Sequence, residues 1–455
     1  MKVRFVTPRY GTEVIGGAET AARQLAEHLV AEVAWEAEVV TTCARDHLTW
    51  ANELAEGESR CNGVAVRRFP TDRPRLPEGL ALDARLRAAP EKATPAESRR
   101  WVDLNGPVSS PLVEAVLAGG ADVTCYYPYL YHPTVATIGR APTPTVLHPA
   151  AHDEPALYLA VFDATFRAAD GLVFQTMAER RVVQRRHPVA GRPQILLGLG
   201  TEQPAPRRRP GGEVLGIGDR PYVVCVGRVD AHKGSLLLAA LFAEYKRRRP
   251  GPLALAFVGP LACQVPGHPD VVVTGAAGPQ DKWDVVRDAA VSISASALEA
   301  FAMVVPESWA AGVPVMVNAR CGATVEHCRR SGGGLWFGSY RQFEAGLDRL
   351  LADPALRRGL GERGRAYVDA HLRWPDLVRR YAAWLERVVE RGPVARRAAG
   401  RGRSEPPPGP RGPRLTPAGP AGPAGAGGGD EPAARSPVPP RWSRTGPPPS
   451  AGAGR

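Results

Sequence analysis

Residues 222–234 read Tyr-Val-Val-Cys-Val-Gly-Arg-Val-Asp-Ala-His-Lys-Gly, a short apolar run followed by a glycine-containing turn. The run 222–226 is typical of a buried β-strand, and residues 235–248 after the turn are predicted to form a helix. A strand that passes into a helix in this way is the repeating unit of a parallel sheet covered by helices. This stretch therefore predicts an α/β domain.

The same alternation extends along the chain in both directions. Further strands are predicted at 3–7, 37–41, 64–69, 122–126, 145–148, 171–174, 194–197, 253–258, 271–274, 291–294 and 314–317. Further helices are predicted at 18–30, 281–290, 306–311, 341–351, 354–370 and 374–389. We therefore expect two Rossmann-like, doubly wound domains with a ligand cleft between them, at the carboxyl ends of both sets of strands.

The domain limits follow from changes in composition. Residues 202–220 are rich in Pro, Gly and Arg, which is linker chemistry. The predicted division is a first domain at 1–203, a second at 213–373, and a closing helix at 374–391 that packs back towards the first domain. The remaining residues, 392–455, are rich in Pro, Gly, Ala and Arg and have few large apolar side chains, so a disordered tail is expected.

The formal net charge of +12 does not predict a nucleic-acid-binding protein, because much of it lies in the tail. Residues 392–455 contain ten arginines and three acidic residues, which leaves the rest only mildly basic. That balance suits an enzyme with phosphorylated or lipid-linked anionic substrates. It would also help reversible contact with the inner face of a membrane.

Targeting and redox features favour a cytoplasmic protein. No run of about 18 uncharged apolar residues predicts a membrane span, and the start Met1–Val6 is too short and charged for a signal peptide. The seven cysteines are scattered and match no zinc pattern, so we expect reduced thiols and no bound metal.

Two glycine-containing turns favour anion binding. Gly227 ends a predicted strand, Arg228 follows it, and Lys233 stands where the next helix starts, so cations and free amides would grip a diphosphate. Gly16 and Gly17 open the first helix and would bring backbone amides to an anion. The alternatives are solvated surface cations at the first site and a tight turn at the second.

Two glutamates, Glu299 and Glu307, form the third motif. Glu299 is predicted to lie in a loop near a sugar ring. Glu307, in the first turn of a helix that Pro306 helps to start, would reach a ribose diol. The alternative is that both are ordinary exposed glutamates stabilised by a helix dipole.

In this order and at these distances, the three motifs resemble those of the retaining glycosyltransferases of family four, which have the GT-B fold. The resemblance extends over roughly residues 1–390 and includes the segments 311–315, 322–326 and 332–335, of which 322–326 is expected to form a glycine-containing donor loop. It implies that Arg228 and Lys233 hold the donor diphosphate, as electrostatic catalysis requires. It also implies that Glu299 contacts the transferred sugar and Glu307 the ribose.

The resemblance implies further site residues. Gly17 and Gly227 would bring backbone to the donor. The donor segment would consist of Phe301, Ala302, Met303 and Val304. A histidine is expected near the transferred sugar, and His152 fits this role better than His148. The acceptor side would include Gly16, His148 and Tyr129.

Aromatic residues and departures from the family pattern leave alternatives open. Trp50 and Trp101 can stack on a sugar, although buried packing is the preferred interpretation. Ala300, Ala302 and Ala323 stand where the family has glycines, which puts the donor sugar in question. The expected function is a retaining, metal-independent transfer from a nucleotide sugar to a hydroxyl acceptor. The alternatives are an inactive nucleotide-sugar binding protein or an epimerase.

Overall fold

The structure, a computed structural model, describes residues 1–393 and contains two sheets in succession. The strands of the first sheet are β1 (Lys2–Val6), β2 (Glu36–Thr42), β3 (Gly57–Cys61), β4 (Val64–Phe69), β5 (Val123–Tyr126), β6 (Thr145–Leu147), β7 (Gly171–Phe174) and β8 (Gln194–Leu196). Their order is β3-β4-β2-β1-β5-β6-β7-β8, and every pair is parallel except β3 with β4. The strand order reverses between β1 and β5, which leaves a crevice beyond the carboxyl ends of these strands, where ligands bind in such sheets.

Helices cover the first sheet and connect its strands. They are α1 (Gly17–Val33), α2 (Glu78–Ala88), α3 (Pro95–Asn105), α4 (Ser110–Leu117), α5 (His132–Thr137), α6 (Val161–Ala168) and α7 (Met177–Arg186). Local sequence fixes several of their starts. Thr94 and Glu97 form a capping box at α3, and Thr176 accepts the amide of Glu179 at α7.

The second sheet has six parallel strands in the order β11-β10-β9-β12-β13-β14. They are β9 (Tyr222–Val226), β10 (Ala254–Val258), β11 (Val271–Val273), β12 (Val291–Ser294), β13 (Val315–Asn318) and β14 (Gly334–Phe337). The helices of this half are α8 (Gly211–Leu215), α9 (Ser235–Arg248), α10 (Pro279–Asp288), α11 (Val304–Ala310), α12 (Gly322–Ser331), α13 (Tyr340–Ala352), α14 (Pro354–His371) and α15 (Trp374–Arg391).

The last helix, α15, packs into the core of the first sheet. Its side chains Leu377, Tyr381 and Leu385 are buried in one cluster with Val3 and Leu25. A fully buried apolar side chain of this size contributes about 1.5–3 kcal/mol to folding. The chain thus crosses back after the second sheet, and the two sheets belong to one compact unit.

The predicted fold class, two Rossmann-like doubly wound sheets, is confirmed. Two strands were not predicted. β3 is a polar edge strand, Gly-Glu-Ser-Arg-Cys, that lacks the apolar alternation of a half-buried strand. β14 begins at the last of three consecutive glycines, Gly332–Gly334, and is only four residues long.

The expectation of a donor loop at 322–326 is wrong, because these residues form the first turns of α12. The predicted tail, from residue 392, lies almost entirely outside the described residues. None of the helices within 1–393 is long and apolar enough to cross a membrane.

Candidate active site

Arg228 lies at the carboxyl end of β9, in a turn organised by a buried aspartate. The Arg228 guanidinium donates to Asp230, and the other oxygen of Asp230 accepts the amide of Lys233 at 2.7 Å. Burial opposes the charge of Asp230, but the Lys233 amide and Arg228 outweigh it and lower the pKa of this carboxyl. Asp230 therefore stays ionised and keeps Arg228 and Lys233 on the same turn.

Lys233 and Glu299 are brought together by neighbouring strands. Lys233 follows β9 and Glu299 follows β12, and these strands pair in parallel. Their side chains form an ion pair, with Nζ 2.6 Å from Oε1. Gly234 makes the approach possible, because its φ is 76° and a Cβ there would overlap the carbonyl of Ala295. Two motifs separated by more than sixty residues thus share one place.

Glu307 lies in the first turn of α11 and pairs with a cation that the sequence reasoning missed. Lys282 on α10 places Nζ 2.8 Å from Glu307 Oε1. The Lys282 ammonium also lies 4.9 Å from the centre of the Trp283 ring. A lysine of an amphipathic helix gives no signal in the sequence that separates it from a solvated one.

The segment 301–304 leads into α11. Phe301 is buried, and its carbonyl accepts a hydrogen bond from Nε2 of His327 at 2.9 Å. Ala302 has a φ of 65°, which is unfavourable for a residue with a Cβ. Met303 and Val304 are half-buried at the helix start. The Phe301 side chain is therefore part of the packing that fixes this segment.

On the first domain, the turn before α1 holds a buried ion pair. Arg9 donates to Glu19 through Nε at 3.0 Å and also through a terminal nitrogen. Gly16 lies against this pair, and a Cβ at that position would overlap the Glu19 carboxylate. Gly17 is exposed, and a Cβ there would have no atom within 4 Å. The sequence reasoning missed Arg9, which stands in a loop without a motif.

His47 lies close enough to charged residues of both domains to be influenced by them. Burial lowers its pKa, and the charges of Arg9 on the first domain and Arg228 on the second lower it further. His47 follows β2 and Arg228 follows β9, so the carboxyl ends of the two sheets face a common space. The expected cleft therefore lies where the predicted diphosphate residues are.

The structure buries His148 and Tyr129, whereas the acceptor-side expectation needs side chains that are open to the cleft. His148 is 1% exposed, stacks on Tyr127 and is hydrogen-bonded through Nε2 to the Tyr381 hydroxyl at 2.7 Å. Burial lowers its pKa to about 3, so the ring is neutral. Tyr129 is also buried and donates to Glu154 at 3.0 Å. Both side chains hold the core together.

His152 remains partly accessible. Its Nδ1 lies 3.8 Å from Glu154 Oε1. Trp50 and Trp101 are buried, as the packing alternative requires, and Trp50 donates to the carbonyl of Asn105. Within residues 1–393, no group of three or more His, Cys, Asp or Glu side chains is arranged to hold a metal ion.

Sequence comparison assigns the second domain to a family. Residues 213–367 match the family model of the glycosyl transferases group 1. The second domain belongs to this family. The matched residues include the Arg228 turn, the Lys233–Glu299 pair and Glu307. No curated protein matches the chain.

Solved structures show the same fold over nearly their whole length. Sucrose-phosphate synthase from Thermosynechococcus elongatus is 19% identical, with a TM-score of 0.64, and the match covers 85% of this chain and 98% of that one. HepE of Anabaena in complex with UDP and glucose is 14% identical, with a TM-score of 0.61 and coverage of 85% and 99%. The α,α-trehalose 6-phosphate synthase from Burkholderia multivorans is 14% identical, with a TM-score of 0.60 and coverage of 89% and 99%. At these identities the likeness establishes the GT-B fold.

Proposed function

We propose that this group 1 glycosyltransferase chain moves a sugar from a nucleotide-diphosphate donor to a hydroxyl acceptor, with retention at the anomeric carbon and without a metal ion. The observation that carries the proposal is the meeting of Arg228, Lys233 and Glu299 on adjacent turns after β9 and β12, facing the first domain. The donor base is proposed to be uracil, since HepE has been solved with UDP-glucose.

The chemistry follows from where charge develops. As the glycosidic bond to the diphosphate breaks, negative charge grows on the leaving phosphate oxygens, and preorganised cations stabilise that charge most strongly in the transition state. Arg228 and Lys233 would be these cations. Both are partly exposed and are held only by carboxylates, Asp230 and Glu299, so a diphosphate can share them without leaving a buried charge unpaired.

The carboxylates of Glu299 and Glu307 would bind the two sugar rings of the donor. In the proposal, Glu299 accepts hydrogen bonds from hydroxyls of the transferred sugar when Lys233 turns to the phosphate. Glu307 accepts from the ribose. Transfer takes place on the face from which the nucleotide leaves, so the acceptor hydroxyl gives its proton to the departing phosphate. His152 would contact the sugar from the first domain.

The test is transfer itself. The full chain is incubated in EDTA with UDP-glucose, UDP-galactose or UDP-N-acetylglucosamine, which are all α-configured donors, and with a panel of sugar, sugar-phosphate and lipid-linked acceptors. The product's anomeric configuration is read by proton NMR. Formation of an α-linked product from an α-configured donor supports the proposal. A β-linked product, or transfer that stops in EDTA and resumes with magnesium, contradicts its stereochemical or metal-independent part.

The same reactions distinguish the two alternatives, a binding protein and an epimerase. The epimerase alternative predicts a changed sugar without any acceptor, and the binding alternative predicts binding of the nucleotide sugar with no product. The specific observation favouring a weakened enzyme is Ala302, which places a methyl group and a positive φ in the donor segment. The protein is further proposed to act in the cytoplasm, with reversible contact at the inner face of the membrane where a lipid-linked acceptor would lie.

A further inference from the structure

The start of α7, a helix of the first domain, is held from the second domain. Glu326, on α12, accepts the amide of Met177 at 3.0 Å and the amide of Ala178 at 2.8 Å. The first amides of a helix have no partner within the helix, and a carboxylate is favoured there by the helix dipole. One side chain of the second domain thus completes a helix of the first. The two helices also approach closely, since a Cβ on Gly322 would lie 3.3 Å from Ala178 Cβ.

On its other side, the start of α7 is tied to the loop that carries His152. Glu179, within α7, is buried and accepts the amide of Ala151 at 2.9 Å and that of Gln175 at 2.6 Å. Ala151 directly precedes His152 in the chain. A shift of α7 must therefore shift the backbone next to His152 or leave the buried Glu179 carboxyl group without partners, which is costly.

The same region is tied to the loop that carries Glu299. The hydroxyl of Thr176 donates to the carbonyl of Ala300 at 2.9 Å, and His327 donates to the carbonyl of Phe301 at 2.9 Å. His327 is the neighbour of Glu326 on α12, and Ala300 is the neighbour of Glu299. A continuous set of hydrogen bonds therefore runs from the His152 loop, through the start of α7, to the Glu299 loop.

We propose that Glu326 is a positioning residue for transfer: it fixes the start of α7 against α12, so that the loops of His152 and Glu299 keep one geometry across the cleft. Its effect on turnover rests on the proposed function, whereas the linkage between the loops does not. Among the described residues Glu326 accepts hydrogen bonds from the backbone of α7 and not from either loop, so it acts on the loops through α7.

The linkage is tested by hydrogen exchange on the full chain, followed by mass spectrometry, in Glu326→Gln. Glutamine keeps the shape of the glutamate side chain. It places an NH2 group or a weaker, neutral acceptor next to the backbone N–H groups of Met177 and Ala178. We expect faster exchange in peptides covering 176–179 and also in those covering 148–154 and 299–303. Glu344→Gln is the matched control, because Glu344 is as buried as Glu326 (side chains 15% and 14% exposed) and bonds within its own domain.

Faster exchange confined to residues 176–179 overturns the proposal, because the loops would then be independent of α7. Both variants are compared at a temperature where each is fully folded by circular dichroism. If Glu326→Gln does not fold, Glu326→Asp is used, for which the shorter reach predicts the same pattern at a smaller amplitude.

Kinetics separate positioning from a general structural role. We expect kcat of Glu326→Gln to fall roughly tenfold to a hundredfold, as misplacement of reacting groups does, with the Kd of UDP unchanged within about twofold. An unchanged kcat overturns the positioning role. If the wild-type chain turns over no nucleotide sugar, the proposed function fails, and the exchange experiment still decides whether Glu326 links the two loops.

Discussion

The two sides of the cleft hold their charges differently. On the second domain, the Arg228 and Lys233 side chains are 38% and 40% exposed and pair with Asp230 and Glu299. On the first domain, Arg9 and Glu19 are both only 7% exposed and are enclosed with each other. An exposed pair gives its partners up readily, whereas a buried pair resists separation because a lone buried charge is costly. The second domain therefore offers charges to a ligand, and the first domain uses its pair to shape a turn.

The largest expected effect on turnover comes from removing Arg228 or Lys233, the partly exposed cations of the second domain. Arg228→Ala and Lys233→Ala should each lower the turnover of a nucleotide sugar by about 10²-fold or more, because each removes a charge aimed at the leaving diphosphate. The midpoint of thermal unfolding should change little. Arg247→Ala is the control, since Arg247 pairs only with Glu244 on the surface of the same domain. Near-normal turnover in a folded Arg228→Ala variant would remove the basis of the assignment.

The buried pair of the first domain is broken by a methyl group. Gly16→Ala should destabilise the protein by about 1–3 kcal/mol, because the new Cβ overlaps the Glu19 carboxylate and forces the Arg9–Glu19 pair apart. Gly17→Ala has open space around its Cβ and should stay within about 0.5 kcal/mol of the wild type. Urea unfolding of the two variants decides the matter. Equal stability of the two variants would show that the turn does not depend on this pair.

The buried histidines make stability depend on pH. Burial lowers the pKa of His148 to about 3 and that of His327 to about 4, whereas an unfolded histidine titrates near 6.5. Below pH 6.5 the unfolded chain binds protons that the folded chain does not, so stability falls as pH drops from about 6.5 towards 4. Each such histidine contributes a slope of about 1.4 kcal/mol per pH unit.

This contribution can be measured by removing one histidine. In His327→Gln the slope of unfolding free energy between pH 6 and pH 4.5 should be smaller by about one proton. Urea unfolding across that range gives the slope directly. A slope that His327→Gln does not change would contradict burial as the cause.

The smallest expected effect concerns the donor segment. Ala302→Gly should stabilise the protein by up to about 1 kcal/mol, because glycine removes the cost of a positive φ in the folded chain. The greater entropy of glycine in the unfolded chain offsets part of this gain. Ala300→Gly is the matched control. Ala300 has no positive φ, so glycine there should cost about 0.4–1 kcal/mol, because it gives the unfolded chain more conformational freedom. Thermal unfolding of both variants gives the two signs, and a shift of the same sign in both would show that Ala302 is unstrained.

Much of the fold could be predicted from the sequence because buried parallel strands are nearly continuous apolar runs. The predicted strand 222–226 and helix 235–248 agree with β9 and α9 to the residue. The polar edge strand β3 carries no such run. The helix α12 was not predicted, because Gly322 and Gly332 at its two ends favour a loop. Gly332 is in fact the left-handed C-cap that is expected at a helix end.

The site was predictable where a motif carries the charge. Arg228, Lys233 and Glu299 stand in strand-to-helix turns, and the pairing of β9 with β12 brings them together. Lys282 and Arg9 were missed because their roles depend on which distant carboxylate they meet, Glu307 and Glu19. The burial of His148 could not be predicted, because nothing in its neighbours shows that Tyr381, more than two hundred residues later, packs against it.

The central claim is that Arg228 and Lys233 bind a nucleotide diphosphate without a metal. Isothermal titration of the chain with UDP in EDTA, for the wild type and for Arg228→Ala and Arg247→Ala, tests it most directly, with GDP and ADP as alternative bases. We expect saturable binding of one diphosphate by the wild type and by Arg247→Ala, and loss of that binding in folded Arg228→Ala. Equal binding by all three proteins, or no binding of any diphosphate at millimolar concentration, would contradict it.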